Sequence, residues 1–115
     1  MAIVLCTGID EGLLKTRKWI LEQAGHIVIT ARDQVSVIAA CKQRAIDVAV
    51  IGQTVSSNSK KLIASLVRQH SPSAKILELH QAHQERAVED ADSWLEVPAG
   101  VPQDLADRVG ELATT

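Results

Sequence analysis

Five short runs rich in apolar and β-branched residues are spaced along the chain. Each is too short to make a packed helix, and most end at glycine or at a polar residue, which is typical of strands. The runs are Ile3–Cys6, Ile27–Ile29, Asp47–Gly52, Lys75–Leu79 and Ser93–Val97. The fifth run alternates apolar with polar residues, as an edge strand does. The sequence therefore predicts five β-strands.

Segments with helical spacing separate these strands. Asp10 and Asp33 are suited to cap the first two helices, and Gly25 to end the first. The predicted inner faces of the four clearest helices are Leu13, Leu14, Ile20, Leu21 and Ala24; Val37, Ile38 and Cys41; Leu62, Ile63, Leu66 and Val67; and Leu105, Val109 and Leu112. Arg17 interrupts the first of these stripes. The polar segment Gln81–Ala91 predicts a further short, weakly packed helix.

Strands that alternate with helices predict an α/β fold, with a parallel sheet, helices on both of its faces and right-handed crossovers. The composition agrees, because Trp19 and Trp94 are the only aromatic residues. The core must consist of Ile, Val, Leu and Ala, which suits a sheet buried on both faces. A length of 115 residues predicts one domain, residues 1–115.

Charge and cysteine usage narrow the class of protein. The net charge is −2 without a basic patch, which argues against nucleic-acid binding. We find neither an apolar run long enough to cross a bilayer nor a signal peptide. Cys6 and Cys41 lie in apolar surroundings and are interpreted as reduced core thiols. We expect a cytoplasmic protein that contacts neither membranes nor nucleic acid.

Two segments carry a resemblance to a known family. Residues 45–52, Ala-Ile-Asp-Val-Ala-Val-Ile-Gly, resemble the Pro-Asp-Leu-Val-Leu-Leu-Asp segment of bacterial response regulator receiver domains. Residues 91–98, Ala-Asp-Ser-Trp-Leu-Glu-Val-Pro, resemble the family's Ala-Asp-Asp-Tyr-Leu-x-Lys-Pro. The second strand-helix unit and the last helix fit the same pattern. The resemblance covers almost the whole chain, and it implies five βα units with the strand order 2-1-3-4-5.

The residues that receivers use for phosphotransfer are missing at the matching positions. Gly52 lies where the family has its phosphoacceptor aspartate, and Thr7 and Gly8 lie where it has the acidic pair that holds Mg²⁺. Leu79, or His80 if the match is shifted by one, replaces a Ser/Thr, and Val97 replaces a lysine. The resemblance therefore implies a degenerate receiver of two-component signalling. We expect it to lack enzymatic activity, cofactor and metal.

The surface that receivers use for signalling lies beside their fifth strand. Here it comprises the polar segment before that strand, the strand itself and the last helix. On it we predict that Trp94, Glu96, Asp104 and Arg108 contact a protein partner. A symmetric homodimer is the first expectation, since two-fold pairing is the commonest oligomer, and a monomer remains open. Alternatively, Trp94 only covers the edge of the core.

Four other interpretations remain open. Cys6-Thr7-Gly8 resembles the phosphocysteine loop of IIB-type sugar phosphotransferase subunits, which would make Cys6 a phosphoryl carrier. His80 and His83, three residues apart, would share one face of a helix and form part of a metal site. Asp10 and Glu11 could reach back toward the strand ends and bind Mg²⁺. A small ligand over Gly52 would also fit the space left by the missing side chains.

Overall fold

The computed structural model describes residues 1–98 and 102–114. These residues form five parallel strands and four helices. The elements are β1 (Ile3–Thr7), α1 (Glu11–Gln23), β2 (Ile27–Ala31), α2 (Gln34–Gln43), β3 (Val48–Ile51), α3 (Ser57–His70), β4 (Lys75–Gln81), β5 (Ser93–Val97) and α4 (Pro102–Ala113). The strand order is β2-β1-β3-β4-β5, so the predicted fold is confirmed.

Side-chain alternation along the strands divides the core into two layers. Leu5, Ala49 and Ile76 belong to the layer covered by α2 and α3. Their strand neighbours belong to the layer covered by α1 and α4: Val4, Cys6, Val48, Val50, Leu77 and Leu79. Both faces of the central strands are therefore buried, and aliphatic residues fill them without Phe or Tyr.

The helix ends follow the predicted caps. Asp10 accepts a hydrogen bond from the backbone N–H of Leu13 at 3.1 Å, and Asp33 caps α2 through a capping box with Ser36. Gly25 follows α1 with φ of +91°, a conformation that favours glycine. Each cap satisfies a backbone donor or redirects the chain, so the helix bounds are set locally.

Two of the predicted helix faces need correction. In α3 the buried residues are Lys60, Ile63, Ala64 and Val67. Leu62, predicted to face inward, is 39% exposed. In α1 the buried residues are Leu14, Arg17 and Leu21. The buried face of each of these helices thus includes a charged residue: Arg17 at the position where the predicted α1 stripe was interrupted, and Lys60 at the start of the α3 stripe, which was not predicted.

The predicted helix within Gln81–Ala91 is wrong. β4 continues to Gln81, and the segment up to β5, residues 82–92, has no helix. The reason is a buried carboxylate: Glu78 accepts hydrogen bonds from the backbone N–H groups of Ala87 and Val88 at 2.9 and 2.8 Å. These donors are held by a side chain of the sheet, so they are not free for a helical ladder.

Lys60 supplies the counter-charge to Glu78. Its ammonium lies 3.0 Å from the Glu78 carboxylate and 2.8 Å from the carbonyl oxygen of Leu79. The side chains of this pair are 1% and 0% exposed. α3, β4 and the connection to β5 therefore meet at one fully buried ion pair.

Candidate functional site at the carboxyl edge of the sheet

The candidate functional site lies at the carboxyl ends of the neighbouring strands β1 and β3. From this pair the chain proceeds in opposite directions across the sheet, and such a switch point opens a crevice at the carboxyl edge. Thr7 ends β1, and Gly8 and Gly52 follow β1 and β3 directly. The N–H of Gly52 donates to the carbonyl oxygen of Thr7 at 3.0 Å. Three of the predicted site positions, Thr7, Gly8 and Gly52, therefore lie together.

At Gly52 the surrounding atoms leave no room for a side chain. A Cβ atom there would lie 2.8 Å from the carbonyl oxygen of Thr7 and 3.3 Å from the Arg17 Nη1 atom. Contacts under 3.0 Å to backbone do not occur in real structures without a shift of the chain. Glycine is therefore required here by the close approach of β1 and of the Arg17 side chain.

Arg17 is a buried charged residue beside Gly52, which the sequence analysis identified only as an interruption of the first helical stripe. It is 8% exposed, and its Nη2 atom donates to the Gln53 Oε1 atom. Burial lowers the pKa of the Arg17 guanidinium, while Cys6 and Asp10 act in the opposite direction. In the described part of the chain no carboxylate lies within 4.0 Å of it.

The remaining oxygen groups near β1 are engaged elsewhere. The Thr7 hydroxyl is buried and donates to the carbonyl oxygen of Val50 at 3.0 Å. Asp10 caps α1, and Glu11 lies 3.3 Å from Lys15 and 3.8 Å from Arg32. No group of three potential metal ligands occurs among the described residues. The geometry offers a divalent cation no set of converging carboxylates.

The predicted positions on β4 and β5 lie on the side of β3 away from β1. Leu79 is fully buried in the layer under α1 and α4, two residues before the end of β4. His80, which follows it, is half-buried, and its Nδ1 atom lies 3.3 Å from the carbonyl oxygen of Gln81. Val97 ends β5 as the register partner of Gln81. The apolar side chain of Val97 thus occupies the position at which the receiver resemblance implies a lysine.

Cys6 lies inside β1 and is fully buried. Burial raises the pKa of the Cys6 thiol to about 12, against a smaller lowering by Arg17. A phosphoryl carrier needs an accessible thiolate, so the geometry does not favour the phosphocysteine interpretation. Cys41 is also buried, and both thiols are free of disulfides, as predicted.

The predicted partner residues lie around β5, but not all face outward. Trp94 is half-buried; its indole Nε1–H donates to the carbonyl oxygen of Val88 at 3.1 Å, and the Arg86 guanidinium lies 4.6 Å from its ring centroid. Arg108 donates to the carbonyl oxygen of Trp94 at 2.7 Å. Glu96 and Asp104 are exposed. The face therefore carries exposed side chains of both charges, Glu96, Asp104 and Arg86, with Trp94 held against the connection before β5.

Two clefts open near this edge of the sheet. The larger, about 630 Å³, lies between the β1, β2 and β3 loops and includes the exposed residues Ile9 and Val35. The smaller, about 270 Å³, lies between α1, β5 and the start of α4. Its lining contains Leu13, Thr16, Arg17, Ile20, Gln53, Gln81, Val97, Pro98, Pro102 and Leu105. Only the second includes Arg17.

The sequence matches no protein-family model and no curated protein. The fold, however, matches solved structures along its whole length. A response regulator from Thermotoga maritima has a TM-score of 0.83 at 18% identity, covering 100% of this chain and 99% of the other. A response regulator receiver domain protein from Clostridium thermocellum gives 0.80 at 20% identity, covering 99% and 95%.

The chemotaxis protein CheY4 of Vibrio cholerae gives a TM-score of 0.82 at 21% identity, covering 97% of this chain and 98% of the other. Within the described residues, no helix has the length and apolar character to cross a membrane. The strand order, the helices on both faces and the match over full length lead to one conclusion. This chain has the fold of response regulator receiver domains.

Proposed function

We propose that the chain is a receiver-like signalling domain that has lost phosphotransfer and acts by binding a protein partner. The observation that carries this proposal is the closure of the strand end at Gly52. Receivers need a carboxylate nucleophile there, whereas here the Thr7 carbonyl oxygen and the Arg17 guanidinium fill the position. The proposal rests on this geometry together with the receiver fold.

Two chemical requirements of aspartyl phosphorylation are unmet at this edge. A nucleophile must supply an oxygen, which neither Gly52 nor the apolar Val97 and Leu79 can do. A divalent cation must neutralise the charge on the phosphoryl oxygens, and the two carboxylates that follow β1, Asp10 and Glu11, are held in a helix cap and in surface ion pairs. Arg17 supplies buried positive charge beside Gly52, but it has no oxygen that could receive a phosphoryl group.

The phosphotransfer part is tested by incubating the protein with acetyl phosphate and Mg²⁺, with an active receiver protein as the positive control. Intact-mass spectrometry should show no phosphoryl adduct on this chain. A Mg²⁺ titration should leave the backbone amide shifts of Thr7, Gly8 and Gly52 unchanged. An adduct, or saturable shifts at these amides, contradicts the proposal.

The interaction part concerns the face formed by residues 84–90, β5 and α4. Receivers signal by shifting between two states, and a phosphoryl group acts because the states bind it differently. A chain without that chemistry is expected to remain in one state and to bind constitutively. The partner proposed first is a second copy of the chain, with Trp94, Glu96, Asp104 and Arg108 at the contact.

Light scattering tests this contact. The wild type is expected to have the molar mass of a dimer, and Trp94→Ala that of a monomer. Because Trp94 also bonds to Val88, Glu96→Lys provides a second variant at an exposed position, expected to weaken the dimer without loss of fold. Trp19→Ala is the matched control, since Trp19 is 63% exposed on α1. A dimer that survives both β5 variants contradicts this face, and a monomeric wild type excludes self-association.

A further inference from the structure

Arg17 presents a problem of charge that the proposed function leaves unsolved. A guanidinium stays protonated in proteins, and taking an unpaired charge out of water is costly. Its one hydrogen bond to a described side chain is to the neutral amide oxygen of Gln53. The Asp10 carboxylate acts on it only from beyond 4.0 Å. An anion beside Arg17 would offset this buried charge.

The space for such an anion is the 270 Å³ cleft between α1, β5 and α4. Arg17 and Gln53 lie in its wall, where the guanidinium and the Gln53 amide nitrogen supply hydrogen-bond donors. Around them the lining is mostly apolar and includes Leu13, Ile20 and Leu105. A buried cation within an apolar wall suits a carboxylate that carries an apolar body, since small-molecule sites combine few polar groups with apolar surface.

The larger cleft lacks this combination. Its arginine, Arg32, is exposed and already contacts Glu11 and the carbonyl oxygen of Ile9. Asp33 in the same lining adds a negative charge. The two clefts therefore differ in the feature that selects an anion, which is a buried guanidinium with no carboxylate among the described residues within 4.0 Å of it.

We propose that the Arg17 cleft binds a small monocarboxylate with an apolar tail, with Arg17 as its counter-ion and Leu13, Ile20 and Leu105 around the tail. The site shares Arg17 with the closed strand end at Gly52, and it borders β5 and α4, but carboxylate binding requires neither the loss of phosphotransfer nor a bound partner. A domain that binds no second copy would still bind the carboxylate. A ligand this small is expected to bind with a Kd of about millimolar.

The test uses sodium hexanoate as the probe, with amide and arginine side-chain shifts recorded by NMR at constant ionic strength. Hexanoate should cause saturable shifts of the Arg17 Nε–H, the Gln53 side-chain amide and the backbone around Gly52. Acetate, which lacks the tail, should bind at least about tenfold more weakly, and hexylamine should cause no such shifts.

Arg17→Met removes the charge and keeps the length of the apolar stem, so it should weaken hexanoate binding by at least about tenfold. Arg44→Met, at an exposed arginine after α2, is the matched control and should leave binding unchanged. Circular dichroism confirms that each variant is folded. If Arg17→Met does not fold, two other measurements decide instead. One compares hexanoate with acetate in the wild type. The other uses Arg17→Lys, which keeps the charge and loses the planar fork.

Three outcomes would overturn the proposal. Hexanoate causes no saturable shift in the wild type; or Arg44→Met weakens binding as much as Arg17→Met; or inorganic phosphate or acetate binds as tightly as hexanoate. The last result would show a plain anion site, without the selection for an apolar tail that the cleft predicts.

Discussion

Removing the charge of Glu78 is expected to destabilise the fold more than any other single change of one carboxylate to its amide. In Glu78→Gln the Lys60 ammonium stays buried without a counter-charge, and the amide nitrogen competes with the Ala87 and Val88 donors. Breaking a buried ion pair from one side costs about 3–5 kcal/mol. A chain of 115 residues has a total stability of about 6–17 kcal/mol, so the variant should lose a large fraction of it and still fold.

Urea denaturation monitored by tryptophan fluorescence measures the loss. With a slope of about 1.5 kcal/mol/M, a cost of 3 kcal/mol lowers the urea midpoint by about 2 M. Glu85→Gln is the control, because Glu85 is an exposed carboxylate in the same connection before β5. It should change the free energy of unfolding by no more than about 0.5 kcal/mol.

A double variant measures the interaction between Lys60 and Glu78 separately from the effect of removing each residue alone. Lys60→Met together with Glu78→Gln leaves neither charge buried, so it should cost less than the sum of the two single variants. Hydrogen exchange at Ala87 and Val88 should quicken in Glu78→Gln, because both N–H groups lose a charged acceptor. An unchanged urea midpoint, or strictly additive single variants, would refute the assignment of Glu78 and Lys60 as a coupled pair.

Three further predictions follow from the same geometry. Gly52→Ala should lower the free energy of unfolding by about 1–3 kcal/mol, because the new Cβ meets the Thr7 carbonyl oxygen. Gly110→Ala has no atom within 4 Å of the new Cβ and should raise the free energy of unfolding by about 0.5–1 kcal/mol. Equal urea midpoints for the two variants would contradict the close approach at Gly52. Cys6 should resist alkylation at pH 8 until the protein unfolds, since a pKa of about 12 leaves roughly one thiolate in 10⁴, and rapid labelling of the native protein, located by peptide mass mapping, would count against its burial. Burial alone would raise the pKa of Glu78, but hydrogen bonds from the backbone and from Lys60 outweigh it and lower the pKa. The ionised Glu78 therefore contributes to stability above the ordinary carboxyl pKa of about 4.3, and this contribution is lost as the pH falls through the lowered value. The urea midpoint should consequently fall less steeply with decreasing pH in Glu78→Gln than in the wild type.

The sequence was sufficient for the sheet because each strand is set by local pattern. The bounds of β5 agree with the prediction at both ends, and β1 and β4 differ only in extending further, to Thr7 and Gln81. The caps at Asp10 and Asp33 were equally predictable, since a cap depends on residues within one turn. Features that depend on residues close together in the sequence could therefore be predicted from the sequence.

The errors arise where one side chain acts across the fold. The segment 82–92 has no helix because Glu78, a residue of β4, binds its backbone, and helical spacing alone cannot reveal such a contact. A signal was nevertheless present: Lys60 falls on the apolar stripe of α3, and Glu78 interrupts an apolar strand. Charges at two buried positions imply that they pair, because a single buried charge is too costly.

Arg17 gave the same kind of signal at the candidate site. It interrupts the stripe of α1, as noted from the sequence, but the position of its guanidinium over Gly52 depends on how α1 packs on the sheet. The empty positions Gly52, Thr7 and Gly8 were identifiable by resemblance alone. The residue that fills the space between them required the three-dimensional structure.

The contact between Gly52 and Arg17 has a consequence for how such a domain changes over generations. If the proposed function is correct, an aspartate introduced at position 52 would meet the Thr7 carbonyl oxygen and pair with the guanidinium beside it. That ion pair would keep the new carboxylate ionised but lower its nucleophilicity toward a phosphoryl donor. A return to phosphorylation would need position 17, position 52 and the acidic residues after β1 to change together, so no single substitution along that path is rewarded. On the proposed function, this contact is a barrier to regaining phosphorylation through one substitution at a time.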